Sequence, residues 1–290
     1  PYEASRAHER AHMARFRRRR RHKLDPAGAL FAHVRRQLHA GWSPDQIAGT
    51  LKLKHPGDYH RQVSHETIYT ALYALPRGEL RRELIACLRQ GHKGRWPRSR
   101  GSNRKTMGFV SEEVMIQLRP PEVGERLVPG HWEGDFLKGM GNRSAVGTLV
   151  ERTSRFVLLA KMEDCSSLAA LNGFTRLLRR VEPEMRKTLT YDRGSEMARH
   201  RELAQANDIR IYFADPYSPW QRGSNENANG LIREYLPKGT ELSGFSQGEL
   251  NAIANRLNER PRRILNYRTP REVFADLLAQ EQQRLASIKH

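Results

Sequence analysis

Three acidic residues, Asp135, Asp192 and Glu226, stand in a chain of 290 residues whose formal net charge is +19. Each lies beside a strand or at a helix start instead of in a run of surface charge, and 33 residues separate the last two. Carboxylates gathered at one place repel unless a divalent cation neutralises them, and an all-oxygen ligand set suits magnesium, with manganese able to substitute. Two such ions about 4 Å apart can activate an attacking oxygen and stabilise a leaving one at a phosphate. The chemistry predicted is metal-dependent phosphoryl transfer, with Asp135, Asp192 and Glu226 as catalytic residues and metal ligands.

Neighbouring residues fit that chemistry. Gly134 and Gly194 permit close approach of backbone or ligand beside the aspartates, and Arg193 is placed to contact a phosphate. Glu226, Asn229, Gly230 and Arg233 share one helix face, at i, i+3, i+4 and i+7. Glu133 shares the strand face of Asp135, where a solvent or salt-bridge role is favoured over assistance to catalysis. Glu196 reads as a first-turn residue of its helix. His8 and His12 have i, i+4 spacing but no third ligand, which argues against zinc. No GxxxxGK[ST] loop appears, so no nucleotide cofactor is implied.

The elements that must position these groups alternate from about Arg126 onward. Residues 131–137, 145–151 and 156–162 read as strands, the last two joined by a turn at 152–155. A helix capped by Ser166 and Ser167 follows, then a strand at 188–191, a helix at 195–205, a strand at 209–213 and a long helix after Pro219. The order β-β-β-α-β-α-β-α predicts an α/β fold, a mixed sheet flanked by helices. Asp135 falls in the first strand, Asp192 at the carboxyl end of the fourth and Glu226 in the first turns of the last helix, where open sheets gather their sites.

Charge divides the chain. Residues 1–108 hold 24 basic and 8 acidic residues, and residues 109–290 hold 27 and 24. An excess of +16 in the first third predicts an N-terminal part that grips nucleic acid and a near-neutral remainder. Candidate contacts lie in two basic runs, one with Arg17, Arg18, Arg19 and Arg20, the other with Lys93, Arg95, Arg98, Arg100, Arg104 and Lys105. The second run is broken by Gly, Ser and Pro and reads as a linker over 91–125, between a helical domain at 1–90 and an α/β domain at 126–290. Within the first domain, residues 42–75 carry two helix starts, Ser43-Pro44 and Ser64. The pair resembles helix-turn-helix DNA readers, in which His65, Glu66 and Tyr69 would face base edges, although the connection between the helices is longer than usual. A plain helical hairpin is the other reading of the same pattern.

Cys87 and Cys165 show no ligand or disulfide spacing, which fits a reducing cytoplasm. No apolar run is long enough to span a bilayer, so no membrane partner is expected. The start, Pro1 followed by a polar basic stretch, reads as the interior of a helix, and an N-terminal piece is expected to precede it.

The segments GHWEGD at 130–135, TYDRGSE at 190–196 and YFADPYSPWQRGSNENANGLIREYLPKGT at 212–240 resemble the transposases of the IS-thirty insertion-sequence family. ERPRRILNYRTPREVF at 259–274 and the WSPDQIA and VSHETIY segments extend the resemblance over nearly all of 40–280. It implies a DDE transposase with an RNase H-like core, related in mechanism to retroviral integrases, in which Asp135, Asp192 and Glu226 occupy the metal-binding triad. Family members usually begin with a further helix-turn-helix ahead of this chain's start, and Ala228 stands where threonine is expected. The function expected is binding of the element's terminal inverted repeats, then strand cleavage and transfer into target DNA by a homodimer. A metal-dependent nuclease on the same core and an inactive DNA-binding regulator are the alternatives.

Overall fold

The structure, a computed structural model, describes residues 23–88 and 114–288, together with residues 3, 5, 6, 8, 9, 12 and 13. The chain divides into two compact units, Pro1–Gly91 and His92–His290.

Helix starts in the first unit follow from its capping residues. Helices α1 (Ala29–His39), α2 (Pro44–Lys54), α3 (His65–Ala74) and α4 (Glu79–Ala86) follow one another. Ser43 and Gln46 form a reciprocal capping box at α2, with Pro44 in the first turn, where its missing N–H costs nothing. Ser64 accepts from the Thr67 N–H at 3.1 Å to open α3. The four helices bury Phe31, Val34, Leu38, Ile47, Leu51, Ile68, Leu72 and Leu84 in one core. That core fixes which face of α3 is left outside: His65 and Glu66 are exposed, and Tyr69 is half-buried.

In the second unit, period-two alternation sorts the side chains of strand β1 (His131–Lys138) onto two faces. Trp132 and Phe136 enter one core, and Leu137 enters the other, leaving Glu133 and Asp135 on the Leu137 face. The remaining strands are β2 (Ala145–Glu151), β3 (Val157–Lys161), β4 (Thr188–Tyr191) and β5 (Arg210–Phe213). They form one sheet in the order β3-β2-β1-β4-β5. Pairing is antiparallel from β1 to β3 and parallel from β1 through β4 to β5, the mixed α/β arrangement expected.

After the short helix α5 (Pro121–Glu125), helices α6 (Ser167–Leu178) and α7 (His200–Asn207) cover the Trp132 face. Helices α8 (Gly223–Ile232) and α9 (Gln247–Asn258) cover the Leu137 face. Helix α10 (Pro270–Ile288) places the Phe274 ring 4.6 Å from that of Phe156 and 6.1 Å from Trp132.

Differences from the sequence reading have local causes. Residues 195–205 do not form one helix: a 3₁₀ turn at Ser195–Met197 precedes α7. The helix after Pro219 likewise opens as a 3₁₀ turn, Pro219–Arg222, before Gly223 begins α8. Residues 114–125 fall in the range read as linker, yet Met115 bridges Phe213 and both Ile116 and Val123 are buried. Helix α9 packs its apolar face on the sheet, burying Leu250, Ile253 and Leu257.

Candidate active site

Parallel pairing sets the two aspartates side by side. His131 pairs with Thr188 and Glu133 with Thr190. Asp135 lies two residues beyond Glu133 and Asp192 two residues beyond Thr190, just past the paired stretch. Gly134 makes this approach possible: a Cβ there would stand 2.7 Å from the Tyr191 ring, which crosses beneath it. At Gly194 a Cβ would stand 2.6 Å from the Glu196 carboxyl carbon, the mobile end of a neighbouring side chain.

One guanidinium joins the two carboxylates. Arg222 Nη2 donates to Asp192 Oδ2 at 3.2 Å, and Nη1 lies 3.7 Å from Asp135 Oδ1 while donating to the Gly134 carbonyl at 2.9 Å. Burial alone would pull the Arg222 pKa down, but Asp135 and Asp192 outweigh it and raise the pKa above the ordinary value. The Tyr191 hydroxyl is driven well above its usual pKa, by burial first and then by Asp135, Glu196 and Asp192.

Helix α8 carries Glu226 to the same face. Asn225 sits on β1: its backbone N–H donates to Glu133 Oε2 at 2.8 Å and its side-chain amide to the Glu133 carbonyl at 2.9 Å. Asn229 Nδ2 donates to Asp135 Oδ2 at 2.9 Å. Glu226 lies one turn before Asn229 on the same side of the helix, and it is exposed. Among the described residues, no group of three or more His, Cys, Asp or Glu side chains is gathered closely enough to hold a metal ion. Asp135 and Asp192 share one cation, Arg222, and Glu226 is exposed on the helix that Asn229 ties to Asp135.

Glu133 is a structural anchor, not a solvated charge. It is fully buried and paired with Arg152, and it receives the start of α8, where a negative charge also meets the helix dipole favourably. Glu196 is buried in its 3₁₀ turn, with Lys138 Nζ at 3.8 Å. Neither Arg193 nor Arg233 is unengaged: Arg193 reaches Asp215 at 3.7 Å, and Arg233 donates to the Lys138 carbonyl at 3.1 Å and the Leu236 carbonyl at 3.3 Å. His65 pairs locally with Glu66 at 3.3 Å when charged. Arg17, Arg18, Arg19, Arg20, Lys93, Arg95, Arg98, Arg100, Arg104 and Lys105 lie outside the described residues.

Arg222 was not singled out from sequence. Its signal was a cation at the N-cap of a helix, the end where positive charge is disfavoured.

Comparison with known proteins adds lineage to this geometry. Residues 125–219 match the integrase core domain, a span that contains Asp135 and Asp192 and stops short of Glu226. The chain is 57% identical over 263 residues to the transposase for insertion sequence element IS1086 of Cupriavidus metallidurans, covering 91% of this chain and 77% of that protein. It is 40% identical over 253 residues to transposase InsI for element IS30A of Escherichia coli, covering 87% of this chain and 66% of that one. A transposase for element IS4351 of Bacteroides fragilis is 34% identical, over 99% of this chain and 84% of its own length.

Proposed function

The chain belongs to the IS-thirty family of insertion-sequence DDE transposases, and from that premise we propose that it binds the terminal inverted repeats of an insertion sequence and cuts and joins DNA strands at Asp135, Asp192 and Glu226. The observation that carries this reading is the convergence of Asp135 and Asp192, from neighbouring strands, on a single cation, Arg222.

The donor chemistry suits magnesium or manganese: two half-buried carboxylates with an exposed glutamate beside them, all oxygen. Asp135 and Asp192 would hold such an ion and Glu226 would join from α8; once bound, it supplies the polarisation that makes water or a hydroxyl nucleophilic at phosphorus. The chain's own residues set the geometry. Asn229 fixes the rotation of the Asp135 carboxylate, and Glu133 holds α8, and with it Glu226, against β1.

In the first step, water attacks a phosphodiester at the element end, the P–O3′ bond breaks and a 3′-hydroxyl is freed. In the second, that hydroxyl attacks a target phosphate and displaces its 3′ oxygen. No covalent protein intermediate and no nucleotide cofactor enter. The first unit would bind the repeats, with α3 presenting His65, Glu66 and Tyr69, and a homodimer would pair the two ends in the bacterial cytoplasm.

Labelled repeat ends incubated with target DNA and magnesium test this function. Joined product is expected. Nicks without joining would instead indicate a nuclease, and neither product would indicate a DNA-binding regulator. Among the described residues no helix is long and apolar enough to cross a membrane.

A further inference from the structure

We propose that Arg222 is a displaceable counter-cation of the carboxylate pair, which holds Asp135 and Asp192 in place when no divalent ion is bound and competes with that ion for the same carboxylates. This role rests on Asp135 and Asp192 being the metal-binding pair. The guanidinium is a planar fork, and here its two terminal nitrogens are divided between the carboxylates, at 3.2 Å from Asp192 and 3.7 Å from Asp135. The side chain is buried, and its anchor on the Gly134 carbonyl at 2.9 Å keeps it between the strands.

Its backbone position argues against a purely local reason for this charge. Arg222 is the N-cap of α8 and faces the positive end of the helix dipole, so the two aspartates are what stabilise it there. A Cβ on Gly223, the next residue, would meet nothing within 4 Å, and the nearby Trp220 is exposed. A divalent ion binding Asp135 and Asp192 would meet the guanidinium charge at the same two carboxylates, so loading the site and loosening Arg222 are coupled. The chain is thereby protected from the repulsion of two adjacent carboxylates in the absence of metal, at the expense of metal affinity.

Manganese(II) titrated into the full chain, with free ion followed by electron paramagnetic resonance, tests this. Arg222→Gln is expected to bind manganese about tenfold more tightly than wild type, because the ion no longer competes with a resident charge. Without metal the same variant should melt at a lower temperature, and added manganese should narrow the gap. Arg222→Lys keeps one charge and loses the fork; it should bind with intermediate affinity and carries the test if Arg222→Gln does not fold. A merely structural arginine would lower stability without tightening the metal. Affinity equal to or weaker than wild type in the folded variants would overturn the exchange while leaving Asp135 and Asp192 as ligands. Absence of binding in every chain, wild type included, would overturn the metal-site reading itself and the exchange with it.

Discussion

The side-chain amide of Asn229 donates to Asp135 Oδ2 at 2.9 Å, which ties helix α8 to strand β1 one turn away from Glu226. The contact orients a candidate metal ligand through a neutral neighbour, and such supporting contacts commonly change metal affinity or activity by roughly 10- to 100-fold. Asn229→Ala is expected to reduce strand cleavage by about that factor, while costing only about 1 kcal/mol of stability. Asn229→Asp, by placing another carboxylate against Asp135, should raise the magnesium concentration needed for half-maximal cleavage. Cleavage rates across a magnesium series check both.

Glu133 and Arg152 are a buried ion pair, and removing one partner leaves a charge without compensation. Glu133→Ala is therefore expected to destabilise the second unit by about 3 to 5 kcal/mol. Chemical denaturation measures this. Glu133→Gln retains an acceptor for the Asn225 N–H and should lose less stability than Glu133→Ala.

His131 gives a pH signature. Its ring is buried against Thr188, with the Glu122 carboxylate 3.7 Å from Nε2; burial first, then Lys187, Arg152, Arg119 and Arg210, lower its pKa to about 4. The unfolded chain, with histidine near its ordinary 6.5, binds the proton more readily, so stability is present above pH 6.5 and falls as pH drops from 6.5 towards 4. The loss should be on the order of 2 kcal/mol, and His131→Asn should flatten that part of the curve. Denaturation midpoints at half-unit pH steps decide it.

Much of the second unit was legible because its cues are local. Alternation in HWEGDFL, the cap at Ser166 and the turn at 152–155 each name their own element, and the β-β-β-α-β-α-β order follows from them. The aspartates were legible as residues beside a strand and at a strand end. What chain-local reasoning could not supply was pairing at a distance. Nothing near Arg222 announces that its partners lie 87 and 30 residues earlier at Asp135 and Asp192. The burial of Glu133 likewise depends on Arg152 and Asn225, which only the closed sheet and docked helix bring to it. The helices at 195–205 and after Pro219 were read as continuous because apolar spacing does not register the 3₁₀ turns that precede α7 and α8.

The central claim is that Asp135, Asp192 and Glu226 carry out the chemistry without being needed for DNA capture. The most direct measurement compares Asp135→Asn, Asp192→Asn and Glu226→Gln with wild type on labelled element ends, scoring cleaved and joined strands alongside binding of the same ends. Products are expected at background for all three variants, with end binding within a few-fold of wild type. Cleavage or joining that survives in any of the three would contradict it, as would end binding lost in parallel with activity.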